Sequence, residues 1–176
     1  MIETDRLILR RWREADIAPF HAMGQDEEVM RFLGPPMSED DCRAAAERQN
    51  AFAETFGRGF WALERREDGA FLGFCGVKPG TEGTPIAGEP EIGWRLARGA
   101  WGQGFATEAA AAALAAEWQR GSVEVFAITV PANLRSRRVM ERLGMTRDAQ
   151  GDFDHPALAP GDPLRHHLLY RIATPV

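Results

Sequence analysis

"WGQGFATEA", residues 101–109, places two glycines one position apart at the entrance to an alanine-rich stretch. Ala109 to Ala116 are strong helix formers, so a helix opens at Thr107 or close to it. Glycine just ahead of a helix lets the main chain approach a ligand closely. The first-turn N–H groups have no acceptor inside their own helix, and they sit at the positive end of its dipole. Together these make an anion site, most often for phosphate.

The flanking segments show what carries this turn. "PEIGWRLA" (90–97) before it and "VEVFAITV" (123–130) after its helix read as strands. "NLRSRRVMERLG" (133–144) is a helix with Asn133 at its N-cap and Gly144 at its end. Upstream, "TDRLILRRW" alternates as a first strand, with Leu7 and Leu9 on one face and Arg6, Ile8 and Arg10 on the other. Residues 13–34 give one or two short helices closed by Gly34 and the Pro35-Pro36 pair. Ser38 caps a third helical stretch running to Gly57, with acids in its first turn. Asp68-Gly69 between two aromatic-rich runs predicts a hairpin. The tail holds a loop, "GDFDHPALAPGDP" (151–163), and a last strand, "LRHHLLYRI" (164–172). The expected order is β-αα-ββ-β-α-β-α-β-β. This is an α+β chain with a mostly antiparallel mixed sheet of about seven strands and about four helices on its two faces. Both 98–107 and 131–137 fall where strands feed helices, the end of a sheet that ligands favour.

One domain spanning 1–176 is the simplest organisation for this length. Hydrophobic residues at 44% and charged residues at 27% are those of an ordinary globular chain and exclude wholesale disorder. A net charge of −5 argues against a protein built to grip nucleic-acid backbone. Cys42 and Cys75 form no CxxC and have no histidine cluster beside them, so no metal site is expected. "MIETDRLILRRW" lacks the apolar core of a signal peptide and no 18-residue apolar run occurs, so no membrane partner and a cytoplasmic location are expected.

A P-loop is excluded because GxxxxGK[ST] is absent. A dinucleotide fingerprint is excluded because Gly102 and Gly104 lack the third glycine and follow the fourth strand, not the first.

"EIGWRLARGAWGQGFATEA" (91–109) followed by "NLRSRRVMERLGM" (133–145) resembles the GNAT superfamily of acyl-CoA-dependent N-acyltransferases. Within it, the chain is similar to the branch of ribosomal-protein N-terminal acetyltransferases (RimJ/RimL-type). The resemblance runs from "TDRLILR" to "LLYRI" and implies a GNAT-type fold with splayed fourth and fifth strands. It implies an acetyl-CoA site, with pyrophosphate on the glycine turn and first helical turn: Trp101, Gly102, Gln103, Gly104, Phe105, Ala106 and Thr107. Gly104 and Ala106 match the superfamily's phosphate motif, while Trp101 replaces its usual Arg or Gln and removes one side-chain contact. Pantetheine is expected in the splay, paired with the main chain of Trp94, Arg95 and Leu96. Arg98 reaches a phosphate oxygen or is a solvated strand-end arginine. Arg137, in a cluster with Arg135, Arg138 and Arg142, suits the cofactor's 3′-phosphate or forms a solvated helix face.

By the same resemblance Asn133 orders pantetheine and Ser136 serves the departing sulfur. Acetyl transfer also needs the amine deprotonated. Glu91 is the first candidate base, a water chain the second, with Asp154 and His155 behind them, while His167 is read as pointing off the last strand. The implied activity is acetyl transfer to a primary amine, a protein N-terminus or a small molecule, by direct attack in a ternary complex. A catalytically silent acyl-CoA-binding module is the alternative, and the chain is expected as a monomer or homodimer. The acceptor would meet residues 14–57, 80–89 and 150–163. Phe20, Phe32, Trp61, Asp152 and Asp154 there are of the types that hold a cationic amine.

Overall fold

The computed structural model describes residues 1–175. Its centre is one eight-stranded sheet, ordered β1-β2-β3-β4-β5-β6-β8-β7. In chain order the elements are β1 (Ile2–Glu3), β2 (Leu7–Arg10), a 3-10 turn (Glu14–Asp16), α1 (Ile17–Gly24), α2 (Glu27–Met30), α3 (Glu39–Phe56), β3 (Gly59–Arg65) and β4 (Phe71–Pro79). Then come β5 (Pro90–Leu96), a second 3-10 turn (Arg98–Ala100), α4 (Phe105–Gln119), β6 (Glu124–Thr129), α5 (Leu134–Arg142), β7 (Thr146–Asp154) and β8 (His166–Ala173). Every neighbouring pair is antiparallel except β5 and β6.

Two cores hold the layers together. On one face α4 and α5 bury Phe105, Ala109, Ala110 and Met140 against Leu7, Leu63, Ile92 and Val125. Alanine suits α4 because the helix lies close on the sheet, with Ala109 and Ala110 wholly inaccessible. On the other face α1, α2 and α3 pack Ile17, Phe20, Val29 and Cys42 around Trp12, with Phe71 and Phe74 of β4 beneath them. A buried ion pair ties that layer to the sheet: Arg10 Nη1 and Nη2 donate to Asp16 at 2.7 and 2.9 Å. The α3 cap is reciprocal, as Ser38 accepts from Asp41 N at 3.1 Å and Asp41 accepts from Ser38 N at 3.2 Å.

The element order follows the expectation, and residues 13–34 yield two short helices within it, of which α2 is a single turn. Two differences stand out. The two-residue β1 is too short to show periodicity. The segment from Gly151 to Asp154, expected in a loop, belongs to β7. Its Gly-Asp pair marks a register shift between Asp148 and Phe153, not a turn. A Cβ at 151 would meet Leu169 Cδ2 at 2.4 Å, so a larger residue there would displace the Leu169 side chain. Asp152 Oδ1 then replaces a ladder acceptor by taking the Leu169 N–H at 3.1 Å.

Candidate functional site

The parallel pair β5–β6 meets at one bridge, Glu91 opposite Phe126. Beyond it the strands part, and the β5 main chain from Gly93 to Leu96 faces a gap on that side. Trp101 Nε1 closes the upper end by donating to the Leu96 carbonyl at 2.9 Å.

At the mouth of the gap lies the glycine turn. Gly104 is the N-cap of α4, at φ +82°, where a side chain would be strained. Glu108 N is the first donor to close the ladder, on the Gly104 carbonyl at 3.0 Å. Phe105, Ala106 and Thr107 therefore have N–H groups with no acceptor in their own helix. Glu108 would oppose an anion here, but it is neutralised locally. Arg6 Nε and Nη2 lie 2.7 and 2.6 Å from its Oε2, and Thr4 Oγ1 donates to Oε1 at 2.5 Å. Burial pushes the Glu108 carboxyl up, yet the Thr4 and Arg6 bonds together hold it below its usual value. Arg6 Nη1 also donates to the Gln103 carbonyl at 3.0 Å, so one arginine braces the turn against the sheet edge.

Opposite the turn stands the head of α5. Asn133 caps it, its Oδ1 accepting from Ser136 N at 3.2 Å. A cavity of about 380 Å3 lies between them, walled by Trp101, Gly102 and Gly104 to Thr107 on one side and Asn133, Ser136, Arg135, Arg138 and Arg142 on the other. The Arg135 guanidinium sits 4.2 Å from the Trp101 ring centroid. The cation missing at position 101 is thereby supplied by α5.

A second cavity, of about 230 Å3, opens where β5 and β6 diverge. It shares Phe32, Leu33, Trp94, Arg95, Asn133 and Ser136 with the first. Phe60 and Phe74, ring centroids 5.3 Å apart, floor it. Glu91 lines it with Oε2 accepting from Lys78 Nζ at 2.6 Å. His167 lines it too. Its Nδ1 lies 3.1 Å from the Arg165 carbonyl, which can only accept, so the neutral ring carries its proton on Nδ1 and leaves Nε2 bare. Burial lowers the His167 pKa below its ordinary value, which keeps that neutral form at pH 7.

The structure gathers Trp94, Arg95, Leu96, Trp101, Gly102, Gly104, Phe105, Ala106, Thr107, Asn133 and Ser136 around the first cavity and Glu91 around the second. It does not bring Arg98, Gln103 or Arg137 to either wall. Arg98 lies in the 3-10 turn. Gln103 Nε2 folds back onto the Gly99 carbonyl at 2.8 Å. Arg137 is held on the far side of α5 by Tyr170 Oη and the Pro131 carbonyl, each at 3.2 Å. Its neighbours Arg135, Arg138 and Arg142, spaced i, i+3, i+7, are the ones facing the turn, and that spacing was readable. Phe20 is core and Asp154 lies beside Arg165 and His166, while Asp152 is bound by Arg147. Phe32 alone of the acceptor-facing five reaches a cavity. The Arg6–Glu108 brace and the Lys78–Glu91 pair are set by strand register, and no local signal announces them. Among the described residues no cluster of histidine, cysteine and carboxylate groups could hold a metal, and no helix is long and apolar enough to cross a membrane.

Residues 6–146 match the family model of the acetyltransferase (GNAT) domain. YkkB, an uncharacterized protein of Bacillus subtilis, is 32% identical over 145 residues, covering 81% of this chain and 83% of that one. The crystal structure of an acetyltransferase from Agrobacterium tumefaciens is 28% identical with a TM-score of 0.78, covering 97% and 92% of the two chains. RimL, a ribosomal-protein α-N-acetyltransferase solved in complex with coenzyme A, shares the fold at 15% identity and a TM-score of 0.76, covering 97% and 95%.

Proposed function

The chain belongs to the GNAT acetyltransferase family, and on that premise we propose that it moves the acetyl group of acetyl-CoA to a primary amine, a protein N-terminus or a small molecule, by direct attack in a ternary complex. We assign the reaction to one GNAT domain spanning 1–176, and to the cytoplasm, where the unpaired, buried Cys42 and Cys75 would stay reduced. One observation carries the reading: two cavities, one walled by an anion site and one by proton-accepting groups, meet at Ser136 and the unpaired main chain of β5.

The donor set suits a phosphate-bearing acyl carrier. The free N–H groups of Phe105 to Thr107 and the turn at Gly102–Gly104 take the pyrophosphate. Arg135, Arg138 and Arg142 take the remaining phosphate charge, a role expected of the whole cluster with Arg137 included. The Trp94–Leu96 main chain pairs with pantetheine as an added strand would, and Asn133 orders its approach to Ser136.

The amine nitrogen forms a bond to the thioester carbonyl carbon as the carbon–sulfur bond breaks. Oxygen gains charge on the way, and a main-chain N–H of β5 stabilises it. Sulfur leaves as thiolate, and Ser136 stands ready to donate to it, since the residue lines both cavities and its main-chain N–H, not its hydroxyl, is engaged by Asn133. The amine's proton goes to Glu91, directly or through water. The bare Nε2 of His167 on the same wall supports a second base, because that nitrogen is unprotonated at neutral pH.

Free-thiol release from acetyl-CoA over a panel of amines, with mass spectrometry of the acceptor, tests the proposal. The expected result is amine-dependent release with one N-acetyl product per thiol. Coenzyme A binding with no amine-dependent release from any acceptor would overturn it in favour of the silent module.

A further inference from the structure

Arg95 entered the proposal only through its main chain. Its side chain is on the other face of β5, beside Phe74 across the register. Glu91, Gly93 and Arg95 alternate with Ile92, Trp94 and Leu96, and the second set packs toward α4. The Arg95 guanidinium carbon lies 5.4 Å from the Phe74 ring centroid, and the residue borders both cavities. Among the described residues no carboxylate lies within 4.0 Å of it. Its Nε is fully buried without a hydrogen-bond partner. Desolvation lowers its pKa, as for a cation kept from water without a counter-ion. The residue as a whole is half-buried, so its guanidinium is partly held from water with no anion beside it, and a ligand's carboxylate would complete it.

The nearby acids cannot complete it. Glu91, on the second cavity, is taken by Lys78, and Glu28, on the first, lies 3.9 Å from Arg135 and from Arg31. The floor beside it is apolar, Phe60 and Phe74, with Phe32 and Leu33 opposite. At about 230 Å3 this cavity suits a small molecule.

We propose that the Arg95 guanidinium is an anion subsite of the acceptor cavity, so that the amine acetylated is a small molecule carrying its own carboxylate and an apolar body. This rests on the acetyltransferase reading above. A carboxylate fits the guanidinium fork bidentately, and the apolar body covers the Phe60–Phe74 floor. The same positive charge disfavours an ammonium nearby, which helps the nucleophile lose its proton. A polycationic amine would meet repulsion here instead.

The test compares matched acceptors: phenylalanine against phenethylamine, and leucine against isoamylamine, with a short peptide bearing an N-terminal aspartate as a third arm. kcat/KM is expected to favour the carboxylate member by about tenfold or more, the discrimination a lost charged hydrogen bond gives. In Arg95→Gln that ratio should collapse, through acceptor KM, while the coenzyme A dissociation constant moves little. Arg95→Lys should keep part of the ratio. A preference for the descarboxy amines or for the peptide, a ratio that survives Arg95→Gln, or an equal weakening of coenzyme A binding would overturn the subsite. Binding of N-acetylphenylalanine to the coenzyme A-loaded protein, read by calorimetry, separates the two proposals. Arg95-dependent binding without turnover would sink the acetyltransferase reading and keep the subsite, whereas no binding by either protein would sink the subsite.

Discussion

Replacing Gly104 by alanine separates the anion site from the fold. At φ +82° an L side chain is strained by about 1–2 kcal/mol. Space is not the difficulty, since the nearest atom to an added Cβ is Arg6 Nη2 at 3.5 Å, ordinary contact. Unfolding entropy of roughly 2.1 cal/mol/K per residue gives about 0.37 kcal/mol/K for 176 residues, so the strain lowers Tm by about 3–5 °C.

Relaxation of the turn away from positive φ would re-aim the N–H groups of the first α4 turn. Losing one such bond to a charged oxygen costs about 1.5–3 kcal/mol, hence roughly 10–100-fold in coenzyme A affinity. Gly121→Ala is the control. Gly121 has φ +88° with nothing within 4 Å, and it lies past the other end of α4, away from both cavities. The two variants should melt alike in scanning calorimetry, while only Gly104→Ala loses coenzyme A in titration calorimetry. Unchanged affinity in Gly104→Ala, or an equal loss in Gly121→Ala, would refute the assignment of phosphate to this turn.

Four further outcomes follow from the geometry. Ser136→Ala should lower kcat about 10–10³-fold with a far smaller change in coenzyme A binding, as for one lost preorganised donor, checked by steady-state kinetics on an accepted amine. Glu91→Gln should cost about 10²–10⁴-fold in kcat; near-wild-type turnover, with an acid limb of kcat/KM below pH 6.5 that vanishes in His167→Gln, would move the base to His167. Because burial depresses the folded pKa of His167, the unfolded chain takes up that proton first, so stability falls as pH drops below 6.5 and His167→Gln should flatten this part of a Tm–pH curve. Asp16→Ala removes one of the two carboxylates on Arg10 and leaves Glu64 on its Nε at 2.6 Å, so it should cost about 1.5–3 kcal/mol, the worth of a charged hydrogen bond, or roughly 4–8 °C in Tm by scanning calorimetry.

What the sequence made legible was local. The caps at Ser38 and Asn133, the hairpin at Asp68-Gly69 and the turn before α4 each rest on residues within four positions of one another. β7 was misread because Gly151-Asp152 has the composition of a turn, while the constraint on it comes from Leu169, seventeen residues on from Asp152. The surroundings of His167 are illegible for a similar reason. It pairs with Phe153 only after the register shift, and without that pairing nothing says which way its ring is tied.

Arg137 and Arg95 show where pattern stops and packing begins. On α5 the periodicity alone sets Arg135, Arg138 and Arg142 on one stripe, so a helical wheel could have moved the phosphate role off Arg137. Periodicity on β5 likewise puts Arg95 opposite Trp94. No pattern, however, states that a charge will lack a partner, because that depends on every carboxylate the fold brings within reach. Here the fold spends them elsewhere: Glu91 on Lys78, Asp16 and Glu64 on Arg10, Glu108 on Arg6. Arg95 has no such partner, and it borders the space where β5 and β6 part. A site of this kind is recognised by completing the fold's ion pairs and finding which charge remains, and its chemistry is then fixed by the sign of that charge. Arg138 and Arg142 also lack ion pairs, but of the three only Arg95 borders both cavities and has a buried, unpartnered Nε, and there the proposed subsite selects a carboxylate on the molecule that brings the amine.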